Sequence, residues 1–217
     1  MAKQSKPNFN EVGGSGVSHT TARPFAAGRR IRKRRPTFAG IALTLFFITS
    51  GHALADEVPE PTGYRMDEYR APVPATLAGA TVVDTQAAEK LWRDKGAIFF
   101  DVMPQAPKPA NLPAGTIWRD KPREDIPGSV WLANVGYGAI NQETAAYFQD
   151  GLKQNGAAEK TTPILFYCMT NCWMSWNAAK RAIEWGYSAV YWYPSGSDGW
   201  AKSGLPLEDR RPFAAAP

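Results

Sequence analysis

The chain has 217 residues and a formal charge of +5, with 25 Lys/Arg against 20 Asp/Glu. Nine of the basic residues and one acid, Glu11, fall in positions 1–55, so the 16 basic and 19 acidic residues that follow leave the rest near −3. That balance removes support for a basic surface binding nucleic acid. Both histidines, His19 and His52, also lie in the first 55 residues, which excludes a Cys-His or Ser-His catalytic pair and a Cys/His zinc site from the remainder.

Residues 1–55 read as a signal peptide with a long basic n-region. The run Arg29-Arg30-Ile31-Arg32-Lys33-Arg34-Arg35 precedes an apolar stretch from Phe38 to Ile48, and Ala53-Leu54-Ala55 offers a cleavage site before Asp56. The apolar stretch is about half the roughly 20 residues a membrane span requires. Cleavage after Ala55, a periplasmic location and no stable span afterwards are the expectation. Residues 56–80 are Pro-rich with little periodicity and read as an extended arm, with Tyr64 and Tyr69 as docking points.

From residue 81 strand and helix patterns alternate. Thr81-Val82-Val83 reads as a strand, and Gln86 to Lys95 as a helix closed by Gly96. Ala97-Ile98-Phe99-Phe100-Asp101-Val102 is a buried-strand pattern with an acid near its end. Residues 103–125, Pro-rich and of mixed charge, read as an irregular excursion, and Ile126-Pro127-Gly128-Ser129-Val130-Trp131-Leu132 as a turn and a strand. Asn141 caps a helix to about Gln154. A strand at 163–167, a helix from Ser175 to Trp185, a strand at 189–192 and a helical turn at Trp200 complete the pattern. Such alternation predicts a single α/β domain over 81–210, with a mostly parallel central sheet flanked by helices and its site at the carboxyl ends of the strands.

Both cysteines sit in one loop, Cys168-Met169-Thr170-Asn171-Cys172-Trp173, between the apolar run Ile164-Leu165-Phe166-Tyr167 and the following helix. A helix N-terminus carries free N–H groups and a positive dipole, which favour a thiolate. Residues four apart here come within disulfide reach, and an oxidising compartment favours the bond. One reading is a redox pair in which Cys168 attacks and Cys172 resolves. Another is a static disulfide that shapes the loop. A third, Cu(I) held by the two thiolates with Met169 and Met174, competes with plain packing of the methionines, and no metal ligand is assigned. Haem attachment is excluded, because Trp173 stands where the axial His is required.

Around the cysteines, Trp173, Met174, Ser175 and Trp176 are candidate binding residues, and with Trp200 they offer an aromatic wall for a flat quinone or a partner surface. These residues assign no cofactor beyond that quinone or redox-cofactor contact. Asp101, at a strand end beside the loop, reads as a buried structural acid or as a proton acceptor for a thiol. Ser175 reads as a helix cap, since no base activates it, and Lys180 and Arg181 read as surface charges, with an inward-facing Arg181 as the alternative that would bring a cation to the loop.

The order of these landmarks resembles the rhodanese-like domain. The matching residues are Phe99-Phe100-Asp101-Val102, Ile126-Pro127-Gly128-Ser129, the loop at Cys168, Ala178-Ala179, Gly186-Tyr187 and Gly199-Trp200 through Gly204-Leu205-Pro206. In that family the cysteine at the Cys168 position carries a persulfide cradled by backbone amides. This loop lacks the Gly and Arg that usually stand between cysteine and helix, which removes a group for binding an anionic sulfur donor and tells against thiosulfate sulfurtransferase activity. The run from Cys168 to Trp173, followed by Met174-Ser175-Trp176-Asn177-Ala178-Ala179-Lys180-Arg181, is also similar to the Cys-x-x-x-Cys-Trp motif of exported proteins associated with PQQ-dependent alcohol catabolism. That resemblance implies an accessory role in redox or persulfide chemistry, with a periplasmic quinoprotein dehydrogenase or an alcohol-transport component as partner. The alternatives are a non-catalytic periplasmic docking module with a structural disulfide and a thiosulfate-type sulfurtransferase.

Overall fold

The structure, a computed structural model, describes residues 58–214 apart from positions 118, 120 and 121. Residues 1–55, expected from the sequence to be a signal peptide, lie outside the described residues. Eleven elements follow in chain order: β1 (Ala80–Val82), α1 (Thr85–Arg93), β2 (Ile98–Asp101), β3 (Arg123–Asp125), β4 (Val130–Trp131), α2 (Gln142–Gln154), β5 (Ile164–Tyr167), α3 (Trp173–Glu184), β6 (Val190–Tyr193), α4 (Gly196–Lys202) and β7 (Glu208–Arg210).

Five strands form one parallel sheet in the order β1-β6-β5-β2-β4. Its central strands are short apolar runs because both faces are covered. Side chains alternate between two layers. Phe100, Ile164, Phe166, Val190 and Trp192 pack with α2 and α3, while Phe99, Leu165, Tyr167 and Tyr193 pack with α1 and Trp200 of α4. Two helices start on side-chain caps: Asn141 Oδ1, the cap expected from the sequence, accepts from Thr144 N, and Asp84 Oδ1, which the sequence reading did not single out, accepts from Ala87 N, each at 2.8 Å.

Three features differ from the sequence expectation. Residues 103–125 end in β3, which pairs antiparallel with β7; its Arg-Glu-Asp sequence carries no apolar alternation to announce a strand. Helix α3 begins at Trp173, two residues before Ser175, with Cys172 as its N-cap. Arg181, read as a surface charge, is 5 % exposed and donates to the carbonyls of Val135, Tyr137 and Gly138 at 2.9–3.1 Å. The loop 132–138 therefore wraps an inward-facing guanidinium.

Residues 58–79 run without regular structure along α3. No helix of the described residues is long and apolar enough to cross a membrane.

Candidate functional site

Strands β2 and β5 are in register at their carboxyl ends, Asp101 opposite Tyr167, so the residues that follow emerge side by side. Cys168 is the first residue past β5, and three residues later Asn171 takes a left-handed backbone (φ 55°) that turns the chain into α3. The turn brings Cys168 and Cys172 to a Cα separation of 6.3 Å, and the two form a disulfide. Both are buried, at 0 % and 2 % exposure. Met103, just past β2, lies over the bond, its Sδ 3.4 Å from Cys168 Sγ.

The loop is tied down at several polar groups. The Cys168 carbonyl accepts from Ser197 N at 3.0 Å, Ser197 Oγ at 3.1 Å and Arg123 Nη2 at 3.2 Å. Thr170 N donates to Asp198 Oδ2 at 3.2 Å, and Thr170 Oγ1 to Ser195 O at 2.9 Å. Gly196 (φ 51°) lets α4 approach this closely, because a Cβ there would stand 2.6 Å from the Cys168 oxygen.

Beneath the loop lies a charged cluster. Asp101 and Asp125 are both fully buried. Arg123 reaches Asp101 Oδ2 through Nη2 at 2.7 Å and Nε at 2.9 Å, and its Nε stands 3.2 Å from Asp125 Oδ1. Asp101 Oδ1 also accepts from Met103 N at 2.7 Å. Neither Asp125 oxygen has a well-aligned donor. Burial, then the hydrogen bond and charge of Asp101, push Asp125 up to about 10, so it is protonated at neutral pH. Burial also raises Asp101, opposed by its hydrogen bond with Asp125 and by Arg123. Burial works against the Arg123 charge, but Asp101 and Asp125 outweigh it and raise its pKa. The cluster holds one carboxylate, one carboxylic acid and one guanidinium, and that guanidinium is bonded to the cysteine loop.

Of the residues expected at the site, Cys168, Cys172 and Asp101 come together, with Asp101 acting on the loop through Arg123 and Met103. Trp173 and Trp176 do not form an open aromatic wall. Their Nε1 groups donate to Pro72 O at 3.1 Å and Thr76 O at 3.2 Å, so both indoles lie under the arm. Met174 is packed into the core at 1 % exposure. Ser175 is not the cap; its Oγ donates to Cys172 O and accepts from Trp192 Nε1 at 3.0 Å. Trp200 belongs to the other layer, where it meets Trp92 edge-on at 5.4 Å and donates to Pro206 O.

Sequence reasoning missed Met103, Arg123, Asp125 and Ser197. The only signal was the Arg123-Glu124-Asp125 charge cluster just before Ile126-Pro127-Gly128. A cavity of about 680 Å³ lies far from the cysteines, at the opening end of β2, walled by Trp92, Ile98, Phe99 and Pro127 with Arg93 and Lys95 at its margin.

The sequence has no match among curated proteins. Among solved structures it is similar to the polysulfide-sulfur transferase homodimer from Wolinella succinogenes, at 21 % identity over 61 % of this chain and 81 % of that one, with a TM-score of 0.40. It is also similar to the rhodanese-like domain of an Anabaena sp. protein, at 16 % identity over 62 % of this chain and 86 % of that one (TM-score 0.38). An EanB variant in complex with ergothioneine matches at 21 % identity over 72 % of this chain and 37 % of that one (TM-score 0.45). The family model for the rhodanese-like domain matches residues 84–203, more than half of the chain and every strand of the parallel sheet after β1. With its parallel sheet, its cysteine loop between β5 and α3 and this match, the chain belongs to the rhodanese-like domain family.

Proposed function

We propose that this domain works as an exported thiol–disulfide protein of the periplasm, at the Cys168–Cys172 pair, in the service of PQQ-dependent alcohol oxidation. The observation that carries the reading is the second cysteine at the N-cap of α3, bonded to the first at the end of β5. A helix N-terminus stabilises a thiolate, and a stabilised thiolate is the better leaving group in exchange. A partner's thiolate attacks Cys168, the S–S bond breaks, and Cys172 leaves as thiolate. The partner's second thiol then resolves the mixed disulfide. The partner dithiol loses two electrons, and this pair gains them with two protons.

The leader pattern supports export, and the Cys-x-x-x-Cys-Trp signature supports the link to quinoprotein metabolism. Persulfide chemistry of the thiosulfate type is less well served, because Cys168 is engaged with Cys172 and amides of the loop already have partners.

One observation favours a second reading, a docking module with a static bond: both sulfurs are buried. Complementation separates the two. In the source organism lacking this gene, growth on an alcohol oxidised by a PQQ-dependent dehydrogenase should be restored by the parent chain and not by Cys168→Ser or Cys172→Ser. Full restoration by both variants, with normal protein levels, would overturn the redox reading in favour of the docking module.

A further inference from the structure

Helix α3 presents its first amide, Trp173 N–H, beside Cys172, and Cys172 provides no side-chain cap. That donor, at the positive end of the helix, is where a thiolate, persulfide or oxyanion would be held. The carbonyl of Tyr69 occupies it instead, at 2.9 Å. The arm is fastened on both sides of this contact. Asn177 grips the Arg65 backbone twice, accepting from its N–H and donating to its carbonyl, each at 2.9 Å. The Arg65 guanidinium lies 5.3 Å over the Trp173 ring, and that of Arg181 lies 4.2 Å over Tyr64, whose hydroxyl bonds Glu184. Trp173 and Trp176 hold the carbonyls of Pro72 and Thr76.

Beyond α3, Gly138 N donates to the Tyr69 hydroxyl at 3.1 Å, and Tyr69, Ala71 and Val73 pack against the core; the segment, net neutral, has no regular structure of its own to add to these contacts. Gly138 marks how closely the arm sits, because any Cβ there would collide with the Arg65 carbonyl.

We propose that residues 64–76 are a displaceable plug that decides what reaches the Cys168–Cys172 pair. While seated, the plug fills the anion position with a carbonyl oxygen and shuts out anionic sulfur donors. Thiol exchange proceeds only in molecules whose arm has lifted from α3. This rests on the thiol–disulfide reading of the site and adds the element that selects its reactants.

The test uses the full mature chain, dithiothreitol as reductant and two variants outside the cysteine loop. Dithiothreitol attacks one sulfur, breaks the S–S bond and closes to its cyclic disulfide, leaving two thiols here that are counted by alkylation. Gly138→Ala drives a methyl group into the arm. Asn177→Ala removes two of its hydrogen bonds, enough at ordinary hydrogen-bond strength for about a 30-fold rise in the lifted fraction. Hydrogen exchange at the Trp173 amide reports lifting directly, and amides of β5 report global opening.

Reduction should accelerate tenfold or more in both variants, in step with Trp173 exchange, while β5 stays protected and the midpoint potential is unchanged. A Trp173 amide that exchanges faster with no gain in reduction rate would overturn the plug. So would acceleration that follows β5, or an arm that neither variant loosens. A midpoint potential in the structural range would defeat the redox reading alone, since the plug is judged on rate.

Discussion

Replacing Arg123 with Met should be among the most damaging single changes that leave the cysteines intact. The guanidinium is 16 % exposed and neutralises Asp101, which is at 0 % and keeps only the Met103 amide and its hydrogen bond with Asp125 once the cation is gone. Breaking a buried pair by removing one partner costs about 3–5 kcal/mol. Asp101 can escape by taking up a proton. From its ordinary value of 3.8, holding it protonated at pH 7 costs roughly 4 kcal/mol, at about 1.4 kcal/mol per pH unit. The two routes agree on about 4 kcal/mol at pH 7, and the second falls to about 2 kcal/mol at pH 5. The sign follows from linkage: in the variant the folded-state pKa of Asp101 lies above its unfolded value, so stability is fullest below pH 4 and is lost as pH rises. Urea unfolding of parent and variant at pH 5 and 7 measures this directly. Asp101→Asn added to the variant should recover most of the loss. A deficit below about 1 kcal/mol at pH 7, unchanged at pH 5, would refute the assignment of Arg123 as counter-ion of a buried carboxylate.

Asp125 should make the parent's stability fall as pH rises from about 4 towards 10, because the folded chain keeps a proton that the unfolded chain releases. Asp125→Asn should flatten that slope in unfolding titrations, and an unchanged slope would contradict the protonated state. Replacing both cysteines with Ser should lower stability by about 2 kcal/mol, the chain-entropy value for so short a loop, measured as a shift in urea midpoint with the fold retained by circular dichroism. Gly196→Ala should cost about 1–3 kcal/mol through its positive φ and the clash with the Cys168 carbonyl. Asn141→Ala should cost only about 1 kcal/mol, as an exposed helix cap does, and should leave reduction of the disulfide unchanged.

The elements legible in the sequence were those whose side chains state their own environment. The apolar runs of β2, β5 and β6, the cap at Asn141 and the cysteine loop at a strand-to-helix junction all follow from residue type and spacing. What escaped was made by partners distant in sequence or by backbone atoms. Arg123 reads as one charge in a polar stretch until β3 pairs with β7 and turns it towards Asp101. Arg181 sits at a helical position beside Lys180, and only the carbonyls of the 135–138 loop make an inward guanidinium tolerable. The arm grips α3 largely through main-chain oxygens, for which no side-chain signature exists. The aromatic wall expected at Trp173 and Trp176 failed for that reason: the indoles face a segment whose course its own sequence does not declare.

The reduction potential of the Cys168–Cys172 pair tests the proposed function most directly. The purified chain from Asp56 onward, equilibrated in glutathione redox buffers, with free thiols counted by mass spectrometry after alkylation, should give a midpoint of about −120 to −230 mV, the range of working oxidoreductases. A midpoint below about −300 mV is that of a structural bond. It would contradict the redox function and leave a rhodanese-like docking module whose disulfide only shapes the loop.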